Sequence, residues 1–292
     1  MAKETAASGV SRKPAVADSA PAANVLRDLL EKKRPLIMGV LNVTPDSFSD
    51  GGRFLDPAAA IAQAQRLAAE GADILDVGAE STRPYGNAAA VTLDEERSRL
   101  AGILPAVVAL GVPVSIDTMK AAVAAWALKA GAMIVNDVWG LQRDPDMAHV
   151  VAGHDAPVVV MHNRDAADPR IDIVADVTAF FERSLAIAAR AGILRQRIAL
   201  DPGIGFGKTP EQSLTCIARL DAWRGFGLPL LVGASRKRFI HSVSPSEPMN
   251  RIGGSIAAHV VAYMNGASII RTHDVSETIQ ALRVAAALRN GS

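Results

Sequence analysis

Eight short apolar runs recur along the chain, and none of them alternates in polarity. They are "LIMGVL" (36–41), "DILDVG" (73–78), "VPVSID" (112–117), "MIVND" (133–137), "PVVVMH" (157–162), "RIALD" (197–201), "LPLLVG" (228–233) and "SIIRTH" (268–273). A strand with one wet face alternates, whereas a strand covered on both faces reads as a continuous apolar run. Between the runs lie segments with helical spacing, such as "PAAAIAQAQRLAAEGA" and "DVTAFFERSLAIAARAG". Several helical segments end in a Gly-Ala pair just ahead of the next run: Gly71-Ala72, Gly131-Ala132 and Gly266-Ala267. A helix C-terminus favours a left-handed residue there, so each pair predicts a helix-to-strand joint. Eight strand–helix units predict a closed (β/α)8 TIM barrel in a single domain. The alternative is an open doubly wound sheet, which usually carries a Gly-rich dinucleotide turn after its first strand. Here Asn42 leads into Pro45 instead.

A length of 292 residues fits this, because a barrel uses about 250 residues as one domain. Residues 1–23, rich in Ala, Ser and Pro, read as a disordered tail, and 24–292 as the barrel. "VLRDLLEKK" reads as a short helix before the first strand. The balance of 31 basic and 30 acidic side chains argues against nucleic acid or an anionic membrane as the main partner. No apolar run approaches the roughly 18 residues a membrane helix needs. The single cysteine, Cys216, excludes an internal disulfide and points to a reducing, cytoplasmic setting.

Barrel active sites lie at the C-terminal ends of the strands. Those ends carry Asn42, Asp76, Asp117, Asn136 with Asp137, His162 with Asn163, Asp201, then Ser235, Arg236 and Lys237, and last Arg271 and His273. Any one of these has a plain explanation as a cap or turn former. Asp76 and Asp137 are open to that reading, satisfying neighbouring backbone or an arginine. The set as a whole is harder to explain so. Asp117, Asn136, Asp201 and Lys237 suit a flat heterocycle with an amidine-like edge, since a carboxylate accepts two parallel N–H bonds. Arg271, His273 and Asn42 are expected to meet where strand eight closes on strand one, a cationic setting for phosphate.

The first loop, "NVTPDSFSDGG", holds more oxygen-bearing side chains than a connecting turn needs, with Phe48 alone among them. Pro45 and Gly51-Gly52 bracket a segment able to act as a lid. Asp50 is its candidate to close on a metal or cation, and Phe48 its apolar cover.

With "GVLNVTPDSFSDGG", "DVGAESTRP", "SIDT", "IVNDV", "LDPGIGFGK", "VGASRKRFI" and "RTHDV" in order and at barrel spacing, the chain closely resembles dihydropteroate synthase, over about residues 34–290. The resemblance implies a transferase of folate biosynthesis. A dihydropterin bearing a CH2 diphosphate would condense with p-aminobenzoate, giving 7,8-dihydropteroate and pyrophosphate. It implies Mg2+, a homodimer, and competition by sulfonamides. It matches Asp117, Asn136, Met161, Asp201 and Lys237 to the pterin pocket. Asn42, Arg271 and His273 match the diphosphate subsite, with Asn42 also a Mg2+ ligand; Asp50 joins it as a metal candidate on the lid reading alone. Thr82, Arg83, Ser235 and Arg236 match the p-aminobenzoate side, with Pro84 shaping that loop, and the lid reading adds Phe48 there as the cover of the aromatic ring. Phe48, Asp50, Arg271 and His273 are the catalytic candidates. Two other readings share a pterin-binding barrel: a corrinoid-linked methyltransferase acting on a folate, and a non-catalytic pterin-binding paralogue. The "SRK" and "RTHDV" motifs weigh against the first, and the intact first two loops against the second.

Overall fold

Each apolar run forms one strand. In chain order these are β1 (Leu36–Asn42), β2 (Ile74–Gly78), β3 (Val114–Asp117), β4 (Ile134–Asp137), β5 (Val158–Met161), β6 (Ile198–Asp201), β7 (Leu231–Val232) and β8 (Ile269–Thr272). The structure, a computed structural model, describes residues 21–43, 56–80 and 91–290. All strand pairs are parallel, in the order β6-β5-β4-β3-β2-β1-β8-β7. A parallel bridge between Leu200 and Leu230 joins the two ends, so the sheet closes into a barrel. The seventh strand is shorter than its apolar run because Pro229 has no N–H for the ladder. Its carbonyl still accepts from Leu200 N at 2.9 Å.

The described helices are α1 (Val25–Leu30), α2 (Pro57–Ala69), α3 (Leu93–Ala101), α4 (Leu104–Val108), α5 (Ala121–Lys129), α6 (Met147–Gly153), α7 (Ile173–Ala191), α8 (Pro210–Ala218), α9 (Arg238–Val243), α10 (Ile252–Met264) and α11 (Val275–Asn290). The Gly-Ala joints behave as their chemistry requires. Gly71, Gly131 and Gly266 adopt φ of +100°, +107° and +105°. The following alanine N–H then reaches back five residues, as Ala72 does to Leu67 O at 3.1 Å and Ala132 to Ala127 O at 3.0 Å. This closes the last helical carbonyls and turns the chain into the next strand. The longest helix, α7, is pinned at both ends. Asp172 accepts from Val174 N and Ala175 N, and Gly192 ends it at φ +85°.

Side chains on a strand alternate between faces, so inward positions recur every second residue. One inward layer is apolar: Leu36, Met38, Ile74, Ile134, Val159, Ala199, Leu231 and Ile269, packed from below by Leu26 and Leu29 of α1. The helix foreseen before the first strand is therefore the floor of the barrel. The outward faces pack on the helices in a second, larger cluster. At the floor edge, Asp73 takes Lys32 at 2.6 Å, Arg34 at 2.7 and 2.8 Å and Ile37 N at 2.9 Å. Burial would raise its pKa, but the bonds from Arg34 and Lys32 more than offset this and hold it below the usual range. That cluster secures the fold at the end opposite the site.

Two residues beyond the apolar layer, the inward position changes character. Ile74 is followed by Asp76, Ile134 by Asn136, Val159 by Met161, Ala199 by Asp201 and Ile269 by Arg271. The register places Asp117 beside Asn136, and Asn136 beside Val159. A dry floor thus carries a polar layer directly above it.

Candidate active site

Arg271 organises the polar layer. Its Nε donates to Asp76 Oδ2 at 2.6 Å, and one terminal nitrogen donates to Asp117 Oδ2 at 2.8 Å. Asn136 Nδ2 donates to the same Asp76 oxygen at 3.1 Å. Asp76 is fully buried and Asn136 nearly so. Four buried oxygens in this layer have no hydrogen-bond partner among the described residues: Asp76 Oδ1, Ser115 Oγ, Asp117 Oδ1 and Asn136 Oδ1. Buried polar atoms are ordinarily paired, so a cluster of unpaired acceptors marks a place where a ligand's donors belong. Burial, aided by the charge of Asp76 and opposed by Arg271, pushes the Asp117 carboxyl up to about 7. Burial works against the Arg271 guanidinium, but Asp76 and Asp117 prevail and hold its pKa above the ordinary value.

Opposite lie Asp201 and Lys237. Asp201 Oδ1 accepts from Gly203 N at 2.7 Å. Burial raises its pKa, against the opposing pull of Lys237. Lys237 Nζ donates to Ile204 O and sits 4.5 Å from the centre of the Phe206 ring. Its burial lowers the ammonium pKa to about 7, with Asp201 opposing. Met161, 3% exposed, is on β5 and pairs in register with Asp201.

At the outer rim, Ser235 Oγ accepts from His273 N at 3.2 Å and lies 2.9 Å from His273 Nδ1. Arg236 adopts φ +57°, a left-handed conformation costly for a residue that carries a Cβ, and this turn is held from three sides. Arg236 N donates to Ser255 Oγ at 2.8 Å, its guanidinium pairs with Asp274, and Arg251 donates to its carbonyl at 3.1 Å.

The structure thus brings Asp117, Asn136, Asp201, Lys237 and Arg271 into one polar layer, with Met161 on the neighbouring strand. Arg271 lies with Asp76 and Asp117 rather than beside His273, which instead pairs with Ser235. Asp137 takes the plain role foreseen for it, accepting from Trp139 N at 2.9 Å and Leu141 N at 2.6 Å. Asp76, open to the same reading, belongs to the site. Phe48, Asp50, Thr82, Arg83 and Pro84 lie outside the described residues, as does the tail up to residue 20. Asn42 ends β1, half-buried, in register with Gly78.

Sequence reasoning missed three further groups. Ser115 shares the inward face with Asp76 and Asp117, and the period of two would have found it. Phe206 and Lys208 lie within "LDPGIGFGK" but carried no role. Glu80, Glu96 and Lys120 form a third group beside the second loop. Lys120 Nζ donates to Glu80 at 2.5 Å and Glu96 at 2.6 Å, and Thr118 donates to Glu96 at 2.7 Å. No local signal distinguishes these from solvated charges.

An inward polar layer with buried, unpaired acceptors at the mouth of the strands marks the barrel as ligand-binding. Residues 38–273 match the family described as "Pterin binding enzyme". Dihydropteroate synthase of Bacillus subtilis (strain 168) is 43% identical over 260 residues, covering 89% of this chain and 90% of that one. The Clostridium difficile dihydropteroate synthase, crystallised in the presence of pteroic acid, superimposes with TM-score 0.84 at 45% identity, over 88% of this chain and 97% of that one. The Xanthomonas albilineans dihydropteroate synthase with 4-aminobenzoic acid gives 0.83 at 43% identity, over 88% and 93%. The chain belongs to the dihydropteroate synthase family, transferases of folate biosynthesis.

Proposed function

We propose that this barrel condenses 7,8-dihydropterin-6-ylmethyl diphosphate with p-aminobenzoate, releasing pyrophosphate. The observation that carries this reading is the cluster of unpaired buried oxygens on Asp76, Asp117 and Asn136. A pterin presents its donors along one edge, and these acceptors face such an edge with little reorganisation. Asp201 and Lys237 hold the other end of the ring, and Met161 forms an apolar wall. Arg271 and His273 neutralise the diphosphate, with Asn42 beside it. Ser235 and Arg236 serve the p-aminobenzoate carboxylate, together with Phe48, Thr82, Arg83 and Pro84.

The substitution is dissociative. The CH2–O bond breaks with its electron pair leaving on diphosphate, and the pterin delocalises the positive carbon. The aromatic amine, neutral at pH 7, supplies its lone pair for the new C–N bond and then sheds a proton to solvent. No strong base is required. Carboxylates beside the ring stabilise the cation, and Phe48 and Asp50 are assigned to excluding water from it on sequence grounds alone.

Asn42 offers a hard amide oxygen, and Asp50 a carboxylate, for Mg2+. Among the described residues no three His, Cys, Asp or Glu side chains gather to hold a metal. That donor set suits an ion held largely by substrate phosphates and water. When bound, Mg2+ would supply charge neutralisation to the leaving diphosphate.

The same reading makes the protein a homodimer and a target of sulfonamides, which mimic p-aminobenzoate. Exposed Val261 and Met264 on α10 and Val284 and Leu288 on α11, neighbouring helices, support self-association. No helix among the described residues is long and apolar enough to cross a membrane. A buried, unpaired Cys216 supports a cytoplasmic setting.

Incubation with the pterin diphosphate, p-aminobenzoate and Mg2+ tests the reading. Release of pyrophosphate with formation of dihydropteroate is expected; a folded protein that releases none rules it out.

A further inference from the structure

Lys208 is one of the largest fully buried side chains in the protein, 1% exposed. Burying an ammonium is costly unless its donors are used. Its Nζ donates to His162 Nδ1 at 2.6 Å, Gly203 O at 2.9 Å and Phe206 O at 3.1 Å. Those acceptors are neutral. The Lys208 pKa falls to about 8, chiefly through burial.

The two carbonyls belong to the loop after β6, residues 202–207, which wraps around the ammonium. Gly203, Gly205 and Gly207 have φ of +66°, +80° and +54°. A side chain on Gly203 would strike the His162 carbonyl, and one on Gly207 would strike Arg164. The loop therefore lies backbone-to-backbone on the end of β5. Its other side faces the pocket. Gly203 N donates to Asp201, Ile204 O accepts from Lys237, and the Phe206 ring lies against the Lys237 ammonium. Successive carbonyls thus serve opposite lysines: those of Gly203 and Phe206 turn to Lys208, and that of Ile204 turns to Lys237.

The knot is anchored outward. Burial, reinforced by the Lys208 charge, drives the His162 pKa down to about 3, so its imidazole is neutral. With Nδ1 accepting from Lys208, Nε2–H donates to Asp176 Oδ2 at 2.9 Å. Asp176 Oδ1 in turn takes Arg164 at 2.8 Å. The chain runs from half-exposed Asp176 on α7 through His162 to Lys208 and the loop.

We infer that Lys208 is a positioning residue for pterin binding: it sets the 202–207 loop so that Ile204 and Phe206 seat Lys237 beside Asp201. This rests on the pterin reading of the pocket proposed above. The residue acts through the loop and touches no substrate.

The test compares wild type with Lys208→Met, which keeps the stem and removes the ammonium. Steady-state constants for each substrate, calorimetric binding of the pterin diphosphate, and thermal melting are measured. The pterin KM is expected to rise roughly ten- to hundredfold, with the p-aminobenzoate KM unchanged within about twofold. The alkaline limb of the pterin kcat/KM profile, where the Lys237 ammonium loses its proton, should move upward because a loosened loop rehydrates Lys237. The acid limb set by Asp117 stays in place. A merely structural role would lower the melting temperature and the active fraction while leaving both KM values and the alkaline limb in place; that result, or an equal rise in both KM values, overturns the inference. Should Lys208→Met not fold, Asp176→Asn at the exposed end decides: a severalfold rise in pterin KM alone supports the inference, and no change overturns it. A wild type that binds the pterin without turnover would sink the synthase reading only, and calorimetry would still read the Lys208 effect. A wild type that binds no pterin would sink both.

Discussion

Arg271 on β8 reaches across the barrel mouth to Asp76 on β2, Nε to Oδ2 at 2.6 Å, with Asp76 wholly buried. The same guanidinium holds Asp117, so one cation separates two carboxylates that would otherwise face each other. Removing it leaves buried charge without compensation. Arg271→Met is expected to cost about 3 kcal/mol of unfolding free energy. Asp76→Asn placed on top of it should recover part of that loss. Urea unfolding of both single variants and the double variant checks this; strict additivity would show that the pair does not couple.

On the proposed pterin reading, Asp117 should govern the acid side of the pH response of binding. A pterin edge donates N–H bonds, so it needs the ionised carboxylate, and the free protein holds that group at about 7. Affinity should therefore fall as pH drops below about 7, approaching tenfold per unit. Asp117→Asn should bind more weakly and lose this slope. The stability contribution runs in the opposite direction. A raised pKa favours the protonated fold, so that contribution is complete below 3.8 and is lost as pH rises through about 7. Calorimetric titrations from pH 5.5 to 8.5, a range of roughly three units around that pKa, separate the two effects.

Asp201→Asn should weaken pterin binding strongly, by roughly a hundredfold, while the protein stays folded. An asparagine oxygen can still accept from Gly203 N, which preserves the turn, but the charge facing Lys237 is gone. Unchanged pterin affinity in the folded variant would show that the pocket lies elsewhere.

His162 should make the fold acid-sensitive. Its pKa drops from 6.5 to about 3 on folding, so its stabilising contribution is present above 6.5 and is lost as pH falls toward 3. Asp117 and Asp201 oppose this in the same window, so the difference from a variant is the clean measure. The melting-temperature gap between wild type and His162→Gln should narrow by roughly 5 °C between neutral pH and the low end of that window. A constant gap would assign His162 no role in acid unfolding.

Self-association should depend on α10 and α11. Leu288 is 74% exposed and Met264 51%. Met264→Glu combined with Leu288→Glu should shift sedimentation from dimer to monomer with little change in melting behaviour at the level of the single barrel. A dimer that persists would place the interface elsewhere.

Strand order and helix joints were legible because their signals are local. A continuous apolar run, or a glycine before a strand, carries its physics within five or six residues. The polar strand ends were legible for the same reason, and the family motifs sharpened them into a pterin pocket. Phe48, Asp50, Thr82, Arg83 and Pro84 remain sequence assignments. What the chain could not show locally was partnership. Asp76 was open to pairing with backbone or with some arginine, and barrel closure decided that its partner is Arg271, 195 residues away. Lys208 carried no role in the sequence, and only the folded loop shows it buried among backbone carbonyls.

The sequence by itself determined the eight units, their parallel sense, the end of the barrel that carries chemistry, and the family. Tertiary structure alone decided which cation meets which carboxylate, which acceptors stay unpaired, and which lysine is buried as a support and which faces the pocket. Hydrophobic periodicity is a property of neighbours in the chain, whereas charge pairing and burial depend on distances that exist only once the sheet has closed.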